Sequence, residues 1–529
     1  MNPLTIAVHG SEHTPLDIVG KMANRHGLIA GATGTGKTVT LRKMAESFSS
    51  IGVPVFLADV KGDLSGLCGA GSDSGKVGER MAEFGLDKTS YLQGFPVRFW
   101  DVYGESGIPV RVTVSEMGPM LLARLMNLND TQEGLLNLVF KAADDQGWHL
   151  IDLKDLRGML QYVADHAKEY RTQYGNVSAA SVGAIQRQLL TLENEGAQAF
   201  FGEPALNLAD WLQTEGGQGV INILNAEKLM RSPRLYSAFL LWFLAELFET
   251  LPEVGDLAQP KFVMFFDEAH LMFDNVAPAL VEQVEQVVRL IRSKGVGIFF
   301  VTQSPKDVPD DVLAQLGSRI QHALRAHTPN DQKALKATVD TFPSSPLDLL
   351  EVLPGLGTGE AIVTVLDPKG RPTPVVPTRL WAPAAVMGPS SPAAVSACLA
   401  SSPFMDKYKD PVDPESAFEL LAARVESEKA AAETAKEEAK AAKEAEKAAA
   451  EAEKRRLKEL EAEAKAAAKA AEREEREAAK EAERQRKAEE RRAERQEKRK
   501  EAAIDSVVRS IGRTLGSSIT RTLFGSRRR

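Results

Sequence analysis

The chain has 529 residues, of which 43% are hydrophobic, and its formal net charge at pH 7 is −8. This length accommodates two or three domains with a sizeable buried core. The charge is uneven, because residues 504–529 contain six arginines and one aspartate, which leaves −13 on residues 1–503. An acidic body excludes a protein that binds nucleic acid over its whole surface, so any contact with DNA must be confined to local basic loops.

Two features bear on the compartment of the protein. Cys68 and Cys398 are far apart in sequence and outside any metal-ligand spacing, which predicts free thiols in a reducing compartment. The chain does not begin with a basic segment followed by an apolar run, so no secretion signal is expected. The apolar stretch LYSAFLLWFLAELFETL from Leu235 contains Glu246 and Glu249 and is shorter than the roughly 20 residues of a bilayer span. We therefore expect a buried helix there, no transmembrane segment and a cytoplasmic protein.

The stretch GLIAGATGTGKTVTLRKMAESF from Gly27 combines an apolar run, a glycine-rich turn and a helical pattern. Gly31, four further residues, Gly36, Lys37 and Thr38 have the spacing of a P-loop. The glycines let backbone N–H groups surround phosphate oxygens, and the helix that follows adds the positive end of its dipole. The lysine reaches the β- and γ-phosphates and the threonine hydroxyl ligates Mg²⁺. The predicted nucleotide-binding residues are Gly31, Ala32, Thr33, Gly34, Thr35, Gly36, Lys37, Thr38 and Val39.

A second motif, KFVMFFDEAHLMF, places an acidic pair directly after an apolar run at residues 262–266. In a P-loop fold such a strand ends beside the phosphates, where Asp267 can hold Mg²⁺ through its water and Glu268 can polarise the attacking water. Without the P-loop, the same pair could be a helix cap. The letters DEAH also occur in DEAH-box RNA helicases, but here the next strand ends in VTQSP instead of a Ser-Ala-Thr motif. His270 is therefore predicted to start a helix and not to act in catalysis.

A third motif, GVGIFFVTQSP, ends an apolar run with polar residues. Gln303 is a candidate for contacting the γ-phosphate or the attacking water, and the alternative is a simple polar cap. The preceding helix VVRLIRSKG carries Arg289 and Arg292, and an arginine that crosses a subunit interface would stabilise transition-state charge. The alternative for each is a solvated surface residue. Further basic residues in this region are Lys294, Arg319 and Arg325.

The alternation of apolar runs with helical patterns predicts an α/β fold, with a mostly parallel sheet covered by helices on both faces. The candidate strands are HGLIAG, VPVFLAD, VRFWDV, GVINILN, KFVMFFDE, GIFFVTQ, SRIQHAL and EAIVTV. A mostly helical stretch at about 112–211 is predicted to be an insertion into this core. It separates the P-loop from the second motif.

Composition divides the chain into a globular P-loop domain at 1–385, a Pro/Ser-rich linker at 386–414, an Ala/Glu/Lys/Arg-rich segment at 415–503 and a basic end at 504–529. The third segment has several i→i+4 pairs of opposite charge and almost no large apolar residues apart from Leu457 and Leu460. A single long exposed helix is therefore favoured, although an alanine-rich weak coiled coil remains open.

The basic end has an amphipathic helical pattern that two glycines weaken. We expect a tethered docking element for a partner, a second copy, an anionic surface or nucleic acid. The alternative is a short piece that packs back on the body. Deletion of 504–529 is expected to leave ATP hydrolysis intact and to alter assembly or localisation.

The motifs GATGTGKT, DVKGD from Asp59, FFDEAH, RLIRSKGVG, VTQSP and TPNDQ occur in the order seen in the HerA–FtsK group of P-loop ATPases. The chain resembles in particular the HerA-like bacterial proteins of the YjgR type. This resemblance implies a RecA-like core in which an additional strand accompanies a catalytic glutamate, with ATP and Mg²⁺ as cofactors and Glu268 as the base. It further implies a hexameric ring with shared sites, Gln303 in the sensor position, and Arg289 and Arg292 in the arginine-bearing helix.

One departure from the family pattern is that HerA starts with a β-barrel, whereas only about 25 residues precede the first core strand here. We therefore expect the barrel and its contacts with a nuclease to be missing. The leading hypothesis is an oligomeric ATPase motor or remodeller of the HerA type that acts on double-stranded DNA. The rival is an ATP-gated scaffold whose C-terminal helix binds a protein partner, without DNA translocation. A small-molecule kinase is disfavoured by the length and by the acidic pair followed by a glutamine.

Overall fold

The computed structural model describes residues 4–174, 177–255, 257–273 and 278–493. The strands in these residues are β1 (Thr5–His9), β2 (Thr14–Asp17), β3 (Gly27–Ala30), β4 (Val55–Asp59), β5 (Val97–Asp101), β6 (Ile108–Pro109), β7 (Thr214–Glu215), β8 (Gln218–Gly219), β9 (Ile221–Asn225), β10 (Phe262–Phe266), β11 (Val296–Thr302), β12 (Ser318–His322), β13 (Glu360–Thr364) and β14 (Val376–Leu380). The first helices are α1 (Lys37–Ser50), α2 (Gly75–Glu83), α3 (Lys88–Tyr91), α4 (Val114–Leu125), α5 (Asp130–Gln146), α6 (Leu153–Asp165), α7 (Ala167–Tyr174) and α8 (Ala179–Asn194). The remaining helices are α9 (Pro233–Thr250), α10 (Pro278–Leu290), α11 (Asp310–Leu313), α12 (Pro329–Val339), α13 (Leu349–Gly355), α14 (Pro392–Ala400), α15 (Met405–Tyr408) and α16 (Ala417–Ala493).

Twelve of these strands form one sheet in the order β2-β1-β14-β13-β12-β3-β11-β10-β4-β9-β5-β6. The neighbours from β12 to β6 are parallel, and the strands from β13 to β2 add an antiparallel edge. Strand β11 lies between β3, which leads into the predicted P-loop, and β10, which leads into the acidic pair. The predicted α/β fold with a RecA-like core and an additional strand is therefore confirmed.

Strand β10 is apolar throughout because both faces of the sheet are covered at this position. In β10, Phe262, Met264 and Phe266 face one hydrophobic cluster, whereas Val263 and Phe265 face another on the opposite side. Alternate residues of a strand point to opposite faces, so a strand that is buried on both sides favours apolar residues at consecutive positions. The first cluster includes side chains of α9 and of the helices α4 to α8, and the second includes side chains of α1.

The region predicted as a helical insertion contains α4 to α8, which lie in sequence between β6 and β7. Capping boxes start three of these helices at Thr113, Asn129 and Asp152, where side chain and backbone satisfy each other's N–H groups. The apolar helix α9 is buried along most of its length, as predicted. In the part of the chain that the structure describes, no helix is both long and apolar enough to cross a membrane.

The contacts within the chain separate the residues up to 426 from a second unit, of which the structure describes 427–493. The segment 386–414, for which the sequence predicts a linker, contains α14 and α15 and buries Tyr408 completely. Helix α16 has 77 residues, and its described side chains are exposed from residue 429 onward. The predicted long C-terminal helix is therefore confirmed. The boundaries of the four predicted segments stay predictions, and the basic element at 504–529 lies outside the described residues.

The antiparallel edge was not predicted from the sequence. Strand β14 lies between β1 and β13, and β1 also pairs with β2. These strands are short, and β2 has the partly exposed sequence TPLD, which lacks a strong apolar alternation. The edge strand β6 and the small pair β7–β8 have two residues each and were also missed.

His26 connects three core elements at the start of β3. It is 2% exposed, its Nδ1 accepts a hydrogen bond from the Ile298 N–H (3.0 Å), and its Nε2–H donates to the Val288 carbonyl (2.8 Å). Both bonds together require the neutral ring. Burial accordingly lowers the pKa of His26 to about 4.

Because the unfolded chain takes up this proton near pH 6.5 and the folded chain only near pH 4, acid should favour unfolding through His26. The difference corresponds to roughly 3 kcal/mol once the pH is below both values. We expect His26→Asn, which removes the titrating ring, to lose less thermal stability between pH 7 and pH 4.5 than the wild type. Unfolding midpoints measured at both pH values test this. The exposed His149→Asn is the control, and an equal loss in wild type and His26→Asn would contradict the prediction.

Candidate active site

The turn after β3 has the backbone geometry of a phosphate-binding loop. Gly31, Gly34 and Gly36 have φ values of +152°, +78° and +115°, in the region that favours glycine. A Cβ atom on Gly31 would also lie 2.5 Å from the Cβ of His322, so this position excludes any side chain. Helix α1 begins at Lys37, and the first N–H groups of a helix have no partner within it. The predicted strand, turn and helix are thus present.

Lys37 lies inside this turn. Its Nζ donates to the carbonyls of Gly31 (2.6 Å) and Ala32 (3.2 Å), and the residue is 7% exposed. Burial lowers the pKa of Lys37, and the negative charge of Glu268 opposes this shift. The charge of Glu268, at the end of β10, therefore favours the protonated form of this lysine, although 231 residues separate them in sequence. Thr38 and Val39 follow in the first turn of α1 and are half-buried.

Contacts with β12 and with the residue before β13 also hold the P-loop in place. The carbonyl of Thr35 accepts from the Gly359 N–H (3.1 Å) and is 3.1 Å from Nδ1 of His322. Nε2 of the same ring is 3.0 Å from the Thr40 hydroxyl on α1. His322 is fully buried, and burial lowers its pKa to about 4, so the ring is neutral at physiological pH. His322 was not among the predicted residues, although β12 is adjacent to β3.

The acidic pair lies at the end of β10 as predicted. Asp267 is 4% exposed, and burial raises its pKa to about 6 against the opposing charge of Lys61. Glu268 has φ +49°, which is uncommon for a residue with a side chain and marks a backbone held by its surroundings. Its side chain makes no capping hydrogen bond to the short 3₁₀ helix Ala269–Met272 that follows. The alternative that this pair merely caps a helix is therefore excluded for Glu268.

Lys61 is the partner of this glutamate and was missed in the sequence. Its Nζ lies 2.7 Å from Oε1 of Glu268. Burial raises the pKa of Glu268, but the hydrogen bond and charge of Lys61 outweigh burial and hold this pKa below its ordinary value. Oε2 of Glu268 has no hydrogen-bond partner among the described residues, and Nδ1 of His270 is 3.5 Å from it. One carboxylate oxygen is therefore restrained and the other is available as an acceptor.

The loop after β4 positions Lys61. Asp59 accepts hydrogen bonds from the N–H groups of Lys61 (3.2 Å), Gly62 (2.8 Å) and Leu64 (3.0 Å), which closes a tight turn. Gly62 within this turn has φ +72°. Since β4 pairs with β10, the turn lies beside the acidic pair. The DVKGD motif is thus the signal from which Lys61 could have been found, because parallel neighbours end at the same edge of a sheet.

The structure places the remaining predicted residues, Gln303, Arg289 and Arg292, at two opposite edges of the sheet. Gln303 is exposed and directly follows β11, where Thr302 pairs with Ala30 beside the P-loop. Arg289 and Arg292 are also exposed, but they precede β11. A strand of seven residues spans roughly 20 Å, so these arginines lie at the opposite edge of the sheet from the P-loop of their own chain.

The donor set for a metal ion is sparse. Within the described ranges, no group of three or more His, Cys, Asp or Glu side chains is arranged to hold a metal ion. The predicted ligands, Thr38 and Asp267, offer one hydroxyl and one carboxylate. Such a set fits Mg²⁺, which usually keeps several waters and takes one or two carboxylates together with substrate phosphates.

Comparisons with known proteins agree with the predicted resemblance. A probable helicase of Methanocaldococcus jannaschii, MJECL08, is 34% identical over 116 residues, which are 22% of this chain and 21% of that protein. The DNA double-strand break repair helicase HerA of Sulfurisphaera tokodaii is 29% identical over 102 residues, or 19% of this chain and 20% of HerA. The chain thus spans about a fifth of the length of the curated relatives it matches.

Two solved structures are similar at low identity. The plasmid coupling protein TrwB, in complex with the GTP analogue GDPNP, is 17% identical with a TM-score of 0.46, and the match covers 72% of this chain and 92% of TrwB. VirB4 of Thermoanaerobacter pseudethanolicus is 14% identical with a TM-score of 0.45, over 74% of this chain and 97% of VirB4. The family model described as "Helicase HerA-like C-terminal" matches residues 5–529. The chain therefore belongs to the HerA-like C-terminal helicase family.

Proposed function

We propose that this protein binds and hydrolyses ATP and uses the energy as an oligomeric motor or remodeller of the HerA type. The observation that carries this proposal is the buried acidic pair, whose charge reaches the P-loop lysine across one intervening strand. A lysine in a glycine-rich loop binds phosphates, and a glutamate with one free oxygen next to it can orient water for attack. Membership of the HerA-like family supports the same activity.

In this proposal each residue at the carboxyl edge of the sheet has one task. The N–H groups of residues 31–39 and the Lys37 amine bind the phosphates. Glu268 accepts the proton of the attacking water through its available oxygen, and Gln303 orients the γ-phosphate or the water. Thr38 and Asp267 would hold Mg²⁺, directly and through water. A bound Mg²⁺ would neutralise charge that develops on the phosphate oxygens.

Self-association is part of the proposal because the two candidate arginines lie at the edge of the sheet opposite the nucleotide site of their own chain. Arg289 and Arg292 are exposed and lie across the sheet from the P-loop. An arginine in this position can stabilise transition-state charge only in the site of a neighbouring copy. The arrangement that meets this condition is a closed ring, and we propose a hexamer.

The substrate proposed for the motor is double-stranded DNA, because the relative HerA is a DNA double-strand break repair helicase. A second candidate, an ATP-gated scaffold without DNA translocation, is favoured by α16. This helix exposes charged side chains over most of its 77 residues, a surface suited to a protein partner. The two functions differ in whether DNA changes the rate of hydrolysis.

The first test is ATP hydrolysis by the full chain with and without double-stranded DNA. We expect Glu268→Gln to lower kcat by on the order of a hundredfold or more, because the amide cannot accept the proton of the attacking water. Glu437→Gln, on the exposed part of α16, is the matched control and should hydrolyse ATP like the wild type. Hydrolysis that rises several-fold with DNA supports the motor, and a rate indifferent to DNA supports the scaffold. Wild type and Glu268→Gln with equal rates would refute the catalytic assignment.

A second test concerns Lys61, which touches Glu268 and acts through it. We expect Lys61→Met to lower kcat by on the order of tenfold while KM for ATP changes little, because unopposed burial would raise the pKa of Glu268 and release its side chain. Lys61→Arg retains the charge and should restore part of the rate. Steady-state kinetics of the three proteins provide the comparison. A faster Lys61→Met enzyme would mean that the ion pair restrains hydrolysis instead of preparing it.

A further inference from the structure

The two cysteines of the chain lie side by side, although they are 330 positions apart in sequence. Cys68 is the last residue of the 3₁₀ helix Leu64–Cys68, and Cys398 lies on α14. The thiol of Cys68 is close enough to that of Cys398 to act on it both as a charge and as a hydrogen-bond partner. Both are free thiols, and both residues are half-buried. The fold therefore brings together two sulfur atoms that no local sequence spacing relates.

The backbone near both sulfur atoms is held by contacts between the segment that contains Cys68 and the segment that leads into α14. The Ser390 N–H donates to the Ser65 hydroxyl (3.0 Å), and the Ser390 hydroxyl is 3.4 Å from Sγ of Cys68. The Val386 N–H donates to the Gly69 carbonyl (3.0 Å). These contacts lie on both sides of Cys68 in sequence and reach to two residues before α14 begins. The position of α14 next to Cys68 is therefore set by the surrounding backbone.

Helix α14 itself is attached to the body through few buried side chains. None of its nine residues is fully buried. Val395, Cys398 and Leu399 are partly buried and pack against the hydrophobic cluster that includes Val97 and Phe99 of β5. Segments with few buried apolar contacts open locally at a low cost in free energy. A covalent bond at Cys398 would therefore strengthen a weakly held attachment.

The surroundings of the two thiols distinguish their roles in an exchange reaction. Burial raises the pKa of Cys398 to about 11, and the neighbouring Cys68 thiol adds to this shift, whereas the charge of Arg98 opposes it. Because the thiolate is the reactive form, Cys398 is a poor first nucleophile at neutral pH. This leaves Cys68 as the sulfur that reacts first and Cys398 as the thiol that resolves the intermediate.

We propose that Cys68 and Cys398 form a dithiol–disulfide site that reacts with low-molecular-weight disulfides such as oxidised glutathione, and that the closed bond anchors α14 to the body. The Cys68 thiolate attacks one glutathione sulfur, the glutathione S–S bond breaks, and one glutathione leaves as a thiolate. Cys398 then loses its proton and attacks the Cys68 sulfur, which forms the Cys68–Cys398 bond and releases the second glutathione. The chain has then lost two electrons and two protons, and one oxidised glutathione has become two reduced ones.

This site involves none of the residues assigned to the nucleotide site, so it stands or falls independently of the proposed function. The same exchange runs in reverse with an excess of reduced thiol, which reopens the bond. Free thiols, as seen in the structure, are the state expected in a reducing compartment. Only an oxidising disulfide closes the pair.

The test is incubation of the reduced full chain with oxidised glutathione, followed by mass spectrometry of the intact chain and of its peptides without reduction. We expect the wild type to lose both free thiols, to retain no glutathione and to give one cross-link between the peptides that contain Cys68 and Cys398. Dithiothreitol should restore both thiols. Cys68→Ser and Cys398→Ser are the matched controls, because each keeps a single thiol and can retain at most one glutathione.

The anchoring of α14 has its own readouts. A disulfide restricts the unfolded chain, and more so when the closed loop is long, so oxidation should raise the Tm of the wild type by on the order of 5 °C. The Tm of both serine variants should be unchanged by the same treatment. Amide hydrogen exchange in residues 392–400 of the wild type should slow several-fold on oxidation.

Three results would overturn the dithiol–disulfide site: two glutathione molecules retained on the wild type, a disulfide that joins two copies of the chain, or two thiols that stay free. A Cys68–Cys398 bond that forms without slower exchange in α14 would overturn the anchoring. Unfolding midpoints of the reduced proteins verify that the serine variants are folded.

Discussion

The structure around the P-loop depends on two buried charged side chains, Arg42 and Glu46, which both need hydrogen-bond partners. Arg42 and Glu46 lie on α1 with almost no exposure, and a buried charge is costly unless hydrogen bonds satisfy it. Their partners are backbone groups, which are available wherever the chain passes close enough. Arg42 donates to the Asp63 carbonyl (2.8 Å), in the turn that carries Lys61. Glu46 accepts hydrogen bonds from the N–H groups of Ala384 (2.8 Å) and Ala385 (3.0 Å), and Arg42 donates to the Gly388 carbonyl (3.1 Å). One helix thus holds residues 384–388 on one side and the turn beside the acidic pair on the other.

The site is assembled from the carboxyl ends of adjacent strands, each of which contributes one function. Strand β3 leads into the P-loop, β10 into Asp267 and Glu268, and β11 into Gln303. Strands β4 and β12 contribute Lys61 and His322, which touch the central groups and hold them in place. The geometry of the catalytic groups therefore depends on the register of five parallel strands, and the buried side chains between them keep that register.

Local sequence patterns predicted the central part of this arrangement. The P-loop, the acidic pair and the eight core strands each consist of consecutive residues whose types follow from their local conformation. Lys61 could not be assigned in this way, because its partner Glu268 lies 207 residues later and only the pairing of β4 with β10 joins them. The predicted linker at 386–414 begins with residues that accept hydrogen bonds from Arg42, and it was not recognised as part of the body for a related reason. Its contacts use backbone atoms, which leave no trace in side-chain composition. Strand β1 pairs with β14 across more than 350 residues, so this pairing could not be predicted from local patterns either.

The two ends of the twelve-stranded sheet determine how this molecule can meet another. A sheet that ends in an open strand offers unpaired N–H and carbonyl groups to any passing chain. Here the outermost strands carry prolines, Pro15 in the four residues of β2 and Pro109 in the two residues of β6. Proline has no N–H to donate, and so short a strand provides little to extend. Growth of the sheet from one molecule into the next is therefore disfavoured at both ends. At these two edges, contact with another molecule through side chains is therefore favoured over an added strand.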